Sequence, residues 1–399
     1  MTAARLVLLT IGLLLLGVGS TGSVNCEEKP EKLLIRGDKL YGSPEKGILE
    51  YDGNVEMTWG DKSLTCGYLK LTSESGSKSP RNFEATGCVR DAGPEERAKA
   101  KLNLKMPGYD FRCCTVTGTF HEKTLRVATL RASGDVWAQI TRGADTFTLH
   151  SAAASLTLNS AGDKGTVILT SDAGLPRVEV AGKGFVASEL EGTVEFSGET
   201  YVHSGKDIEM TLNVTPGKLL LPENLKELQA DRLVATGGTF VFEPAIGRFR
   251  FQDGATVKCG DLLLKAPMVE LRTDSGNKLP RSISASGGKA ACSLTFRGMN
   301  IDSDTMKFSF TEKGDLIDFT ADGNVAIRVM DSANRLIKGR CARAIFLGEK
   351  VTLEGDPKVI IVVPSEKIRI TETRGEFAYA NGRWDHTGTN AVIENNYEE

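Results

Sequence analysis

Apolar and polar residues alternate at period two along most of this chain, as in Val167 and Leu169, Val178 and Val180, Ile361 and Val363, Ile368 and Ile370. Such alternation predicts β-strands with one face buried and the other wet. A short unit recurs among them, Gly-Asn-Val or a variant: Gly53-Asn54-Val55, Gly134-Asp135-Val136, Gly192-Thr193-Val194 and Gly323-Asn324-Val325. Gly and Asn tolerate positive φ, so each unit is expected to be a tight turn whose Val opens the next strand. Helical spacing is nearly absent. Short helices are expected only over Pro222–Asp231 and Glu95–Leu102. The pattern predicts an all-β fold.

The chain also repeats itself. Pro44 to Gly87 matches Pro244 to Gly287 at an offset of 200, pairing Gly47 with Gly247, Tyr51 with Phe251, Leu64 with Leu264 and Leu71 with Leu271. Gly60-Asp61 returns as Gly260-Asp261, and SGSKSPR at Ser75 as SGNKLPR at Ser275. Further on, ASGDVWAQI from Ala132 corresponds to ADGNVAIRV from Ala321, and VASELEGTVEF from Val186 to IRITETRGEFAY from Ile368. So many matches in one register indicate duplication. The expected organisation is a leader over 1–23, a first β-module over 24–215 and a second over 216–399, joined near residues 215–230.

The start of the chain predicts export. Arg5 precedes an apolar run, Leu6 to Val18, and small residues follow at Gly17, Gly19, Gly22 and Ser23. That is the layout of a cleaved signal, with the cut between Gly19 and Ser23; a membrane span needs about 20 apolar residues. A lipid anchor on Cys26 is disfavoured because Asn25 stands where a lipobox needs a small residue. Lys plus Arg number 49 and Asp plus Glu 52, a net charge of −3. With no basic excess, nucleic acid is not an expected partner. The 8 cysteines have irregular spacing and no CxxC pair, which argues against zinc and redox motifs. Disulfides and buried free thiols remain equal readings in an oxidising compartment.

Nothing in the sequence points to catalysis. His121, His150, His203 and His386 are scattered, outside any HExxH or triad-like context. The paired carboxylates Glu95-Glu96, and Glu189 with Glu191, read as solvated faces. No cofactor or metal is expected. Asn213-Val214-Thr215 satisfies a glycosylation sequon, which matters only in a eukaryotic secretory pathway.

Two stretches carry a resemblance: Gly47 to Leu71 followed by Ala85 to Val89, and Asp318 to Val329 followed by Val351 to Val362. Their A-x-G-N-V strand end and the Leu353-x-Gly355-x-Pro357-x-Val359 element resemble the OstA-like (LptA) family of periplasmic lipopolysaccharide-transport proteins. The likeness spans most of Leu33 to Tyr379, with a poor fit over 88–120. It implies antiparallel β-jelly-roll modules, open like a folded taco, here two in tandem and elongated. The interior would take the acyl chains of lipopolysaccharide or another acylated lipid, and end strands would pair with other OstA-like envelope proteins. The implied role is a periplasmic transport bridge or chaperone in outer-membrane biogenesis. Candidate groove residues are Val55, Met57, Leu64, Leu69, Leu71, Val136 and Leu169, then Leu264, Leu271, Val325, Ile327, Leu353, Val359 and Ile361. Periodicity alone leaves these residues equally suited to a closed sandwich core. An exported structural or adhesive β-solenoid, and a polysaccharide-active β-helix enzyme, stand as alternatives.

Overall fold

The computed structural model describes residues 33–397 except 60–61, 74–79, 94, 97–99, 107–108, 122–126, 143–144, 160–163, 174–176, 183–184, 198–199, 214–231, 244–245, 275–279, 290, 297–298, 313–315, 331–334, 348–349 and 381–382. The expected leader, Cys26, the helix expected over Pro222–Asp231 and the expected module junction therefore lie outside the described residues. By contact the chain separates into two units at Gly205–Lys206.

In the first unit, β1 (Leu33–Arg36) and β2 (Lys39–Ser43) pair with opposite ends of β3 (Ile48–Trp59). β4 (Lys62–Ser73) returns along β3 and is then shared. One half of β4 pairs with β5 (Pro80–Thr86), the other with β6 (Leu102–Met106). β7 (Tyr109–Cys113) continues from β6 and β8 (Thr115–Phe120) from β5, and both rejoin on the long β9 (Val127–Arg142). β10 (Asp145–Leu158) runs back along β9, and its two halves take β11 (Lys164–Thr170) and β12 (Val178–Gly182). β13 (Phe185–Glu189) pairs with β12 and β14 (Glu191–Ser197) with β11; β15 (Thr200–Asn213) begins in this unit, which ends at Gly205. Each long strand thus contributes to two layers, which is the antiparallel jelly-roll plan.

The second unit repeats it. β16 (Arg232–Glu243) combines the roles of β1 and β2 beside β17 (Arg248–Cys259). β18 (Leu262–Thr273) is shared by β19 (Pro280–Ser286) and β20 (Cys292–Phe296). β21 (Met299–Ser303) and β22 (Thr305–Phe310) rejoin on β23 (Leu316–Met330). β24 (Leu336–Leu347), β25 (Lys350–Val363) and β26 (Ile368–Ala380) follow as unbroken strands. β27 (Arg383–Thr389) and β28 (Val392–Asn395) pair with opposite halves of β26.

The Gly-Asn-Val units are not turns between strands. Gly53-Asn54, Gly134-Asp135 and Gly323-Asn324 sit mid-strand with both residues at positive φ, as does Asp253-Gly254. In each case two residues face one on the neighbour: Gly67, Ala152, Ala342 and Pro267 respectively. These are β-bulges, which bend a strand and raise its twist. The bend lets the halves of one strand enter different layers. Side chains brace the corners: Asn54 Nδ2 donates to Asp38 Oδ2 at 2.9 Å and Asn324 Nδ2 to Asp304 Oδ2 at 2.8 Å. Gly192 differs, since its φ is not positive; close packing explains it, as shown below. The helix expected over Glu95–Leu102 is a single turn at most in the described residues, closed by Ala100 N–H to Glu96 O at 2.9 Å, and Leu102 already belongs to β6.

Candidate functional site

The two layers of the first unit enclose an apolar interior. Across one layer the register aligns Leu40, Tyr51, Leu69, Ala85, Val116, Ala132, Ala154 and Leu169 in a single transverse row. A second row runs through Leu49, Leu71, Phe83, Gly118, Leu130, Leu156 and Val167. The opposing layer presents Ile35, Met57, Leu64, Leu104 and Phe111. Between them lies a cavity of about 100 Å³ whose lining is apolar except for Ser155.

Of the residues predicted to line a groove, Val55, Met57, Leu64, Leu69, Leu71, Val136 and Leu169 are buried in the first unit. Met57, Leu64 and Leu69 line the cavity; Val55, Leu71 and Val136 pack in the same apolar cluster without lining it. In the second unit Leu264, Leu271, Val325, Leu353, Val359 and Ile361 are buried. Ile327 is half-buried, because its neighbour across the ladder is Gly339, which has no side chain to cover it.

The apolar rows do not end where burial ends. Leu40 is 61% exposed and Leu49 42% exposed, although they share rows with the buried Leu69 and Leu71. In the second unit a row runs from Leu264 through Ile301, Ile327, Gly339, Ile361 and Ile370 to Ile393, which is 62% exposed. Inward-facing apolar surface therefore reaches solvent at an edge strand in each unit.

The seven described cysteines are free thiols; Cys66, Cys113, Cys292 and Cys341 fit the reading as buried thiols on strands, whereas Cys88 and Cys114 are buried between strands and Cys259 is half-buried. Burial pushes Cys66, Cys113 and Cys341 up to about 12 and Cys292 up to about 11, which keeps them protonated and inert.

No family model matches this chain, and no curated protein matches it. Nine chains of known structure do. One is LptH, the LptA homologous periplasmic component of the conserved lipopolysaccharide transport device from Pseudomonas aeruginosa. The match has 10% identity, covers 41% of this chain and 75% of that one, and has a TM-score of 0.18. At that identity and score the likeness supports no functional inference.

Three histidines meet carboxylates: His150 contacts Asp135, His203 contacts Glu189 and His386 contacts Glu372. One expectation is corrected, because Glu189 does not lie on a solvated face: it is 0% exposed. It ends β13 in register with the fully buried Val178, which fixes its side chain inward. The signal was present in the sequence as the repeat of VASELEGTVEF in IRITETRGEFAY, where each copy carries Glu-x-x-Gly.

Proposed function

We propose that the protein holds the acyl chains of lipopolysaccharide, or of a similar acylated lipid, between the two layers of its units, and serves as a periplasmic bridge or chaperone in outer-membrane biogenesis. The observation that carries this reading is the run-out of the inner apolar rows at Leu40, Leu49 and Ile393. Apolar surface that folding leaves uncovered generally marks a ligand or partner site. An acyl chain laid along such a row gains about 0.8 kcal/mol per buried methylene, so a handful of methylenes outweighs the cost of ordering it. The sequence resemblance to the OstA-like family supports the same role. Partner modules of that family would add at the end strands, and no residue is assigned a catalytic part.

One observation favours the second reading, an exported structural β-protein with a closed core. The cavity of about 100 Å³ is smaller than the apolar void of about 150 Å³ that accommodates benzene. Under the lipid reading, the layers must therefore part to admit a chain. Mass spectrometry of lipids extracted from the purified full-length export product tests the choice. Acylated lipid in stoichiometric amount supports the bridge; lipid no higher than on an unrelated exported protein supports the closed core.

A further inference from the structure

Each unit carries the same constellation near its end, at an offset of 183 residues: Glu189, Gly192, His203 and Gly205, all buried, in the first, and Glu372, Gly375, His386 and Gly388 in the second, where the Glu372 carboxylate and Gly375 are buried while His386 and Gly388 are exposed. His203 Nε2 lies 2.8 Å from Glu189 Oε1, and His386 Nε2 lies 3.0 Å from Glu372 Oε1. Both carboxylates are sealed, at 0% and 1% exposure. The glycines exist to make room for them. A Cβ on Gly192 or Gly375 would stand 2.3 or 2.1 Å from the Oε1 atom, and one on Gly205 or Gly388 would stand 1.6 or 1.9 Å from Oε2. Even the following corner is copied, since Asp207 and Asn390 share a φ of 54°. Retention of four residue types and one positive-φ corner in both copies is not what unselected surface drift would leave after duplication.

We infer that Glu372 and His386 form an acid-sensitive latch that clamps the chain's last strands onto β26. The position explains the role. Glu372 stands where β26 passes from its pairing with β28 to its pairing with β27, and His386 reaches it from β27. The bond therefore ties the strand to β26 through side chains, at the point where the backbone ladder changes partner. His386 is further held by stacking on Phe377, ring centroids 4.6 Å apart. Glu372 Oε2 has no hydrogen-bond donor. A hydrogen bond to a charged carboxylate is stronger than one to a neutral acceptor, so a tie of this kind is one that acid loosens. The charged groups on the surrounding strands are Lys350, Glu354, Asp356 and Lys358 on β25, Arg369, Arg374 and Glu376 on β26, Arg383 and Asp385 on β27, and Glu394 on β28. Those whose exposure is described reach solvent, where screening weakens their hold on the buried carboxylate. The strands so clamped are the ones that carry the exposed Val392 and Ile393, so the latch governs the edge that the proposed function assigns to a partner module. The latch itself does not depend on that reading.

Hydrogen exchange on the full chain, read by peptides covering β27 and β28 and corrected for the intrinsic effect of pH, tests it. In the native protein the protection of these peptides should fall at least about tenfold between neutral and acidic buffer, the scale of losing a hydrogen bond to a charged group, while β18 keeps its protection. Glu372→Gln should exchange fast at both, with no step, and His386→Gln should do the same if the first variant folds poorly. A native protein with equal protection of β27 in both buffers overturns the latch, as does a step that persists in both variants. Partner or lipid binding is scored separately, so failure of the proposed function leaves this result standing.

Discussion

Replacing Ala85 by valine adds two methyl-sized groups to the wall of the first unit's cavity. Ala85 lies on β5 between Leu69 and Val116 in the ladder, is 3% exposed and lines the void. Two further buried carbons stabilise by about 1.6 kcal/mol at about 0.8 kcal/mol each. The void sets a ceiling: about 24 cal/mol per Å³ over about 100 Å³ is about 2.4 kcal/mol. The gain therefore fits within the space on offer, and valine also suits a strand. Denaturant titration followed by the fluorescence of Trp59 and Trp137, in a Trp384→Phe background, reports the first unit alone. The midpoint should rise by the equivalent of about 1–2 kcal/mol, and lipid recovered per mole of protein should fall. A loss of more than about 1 kcal/mol, the signature of overpacking, would show that the space is not free. A gain in stability with unchanged lipid would refute the cavity's part in binding.

Two other outcomes follow from the same structure. Cys66, Cys113, Cys292 and Cys341 should resist a thiolate-directed reagent in the folded protein near neutral pH and react promptly once it is denatured, because burial holds their pKa at about 11 to 12; fast modification in the folded state would contradict their burial. Burial opposes charge on Glu270, but Arg272 and Arg250 outweigh it and hold its pKa below the usual 4.5. Its contribution to stability is thus present above that value and lost as pH falls through the lowered one, so Glu270→Gln should lower stability at neutral pH and flatten the acid limb of the pH profile.

The period-two alternation made the all-β class legible, because burial on one strand face writes itself directly into sequence. What alternation could not convey is which half of a strand joins which layer. The pairs Gly53-Asn54 and Gly323-Asn324 signal positive φ in either a turn or a bulge, and only the partner strand's register tells the two apart. Burial of Leu69 and of Val359 was readable for the same reason as the class. The exposure of Leu49 in the very row of buried Leu71 was not, since it depends on that strand lying near an edge. Glu189 and Glu372 look solvated because carboxylates usually are; their burial depends on histidines fourteen residues away and on glycines that leave room for oxygen.

Neighbouring positions on β23 test most directly whether the interior touches acyl chains. Ile327 is half-buried between Ile301 and Gly339 on an apolar row, whereas the Arg328 side chain is 57% exposed and lies 3.8 Å from Asp302. A photo-crosslinking residue placed at 327, and separately at 328, in cells that make lipopolysaccharide should give lipid adducts at 327 and few at 328. Equal labelling at both positions, or none at either in a folded protein, would contradict the account and leave the closed β-sandwich in its place.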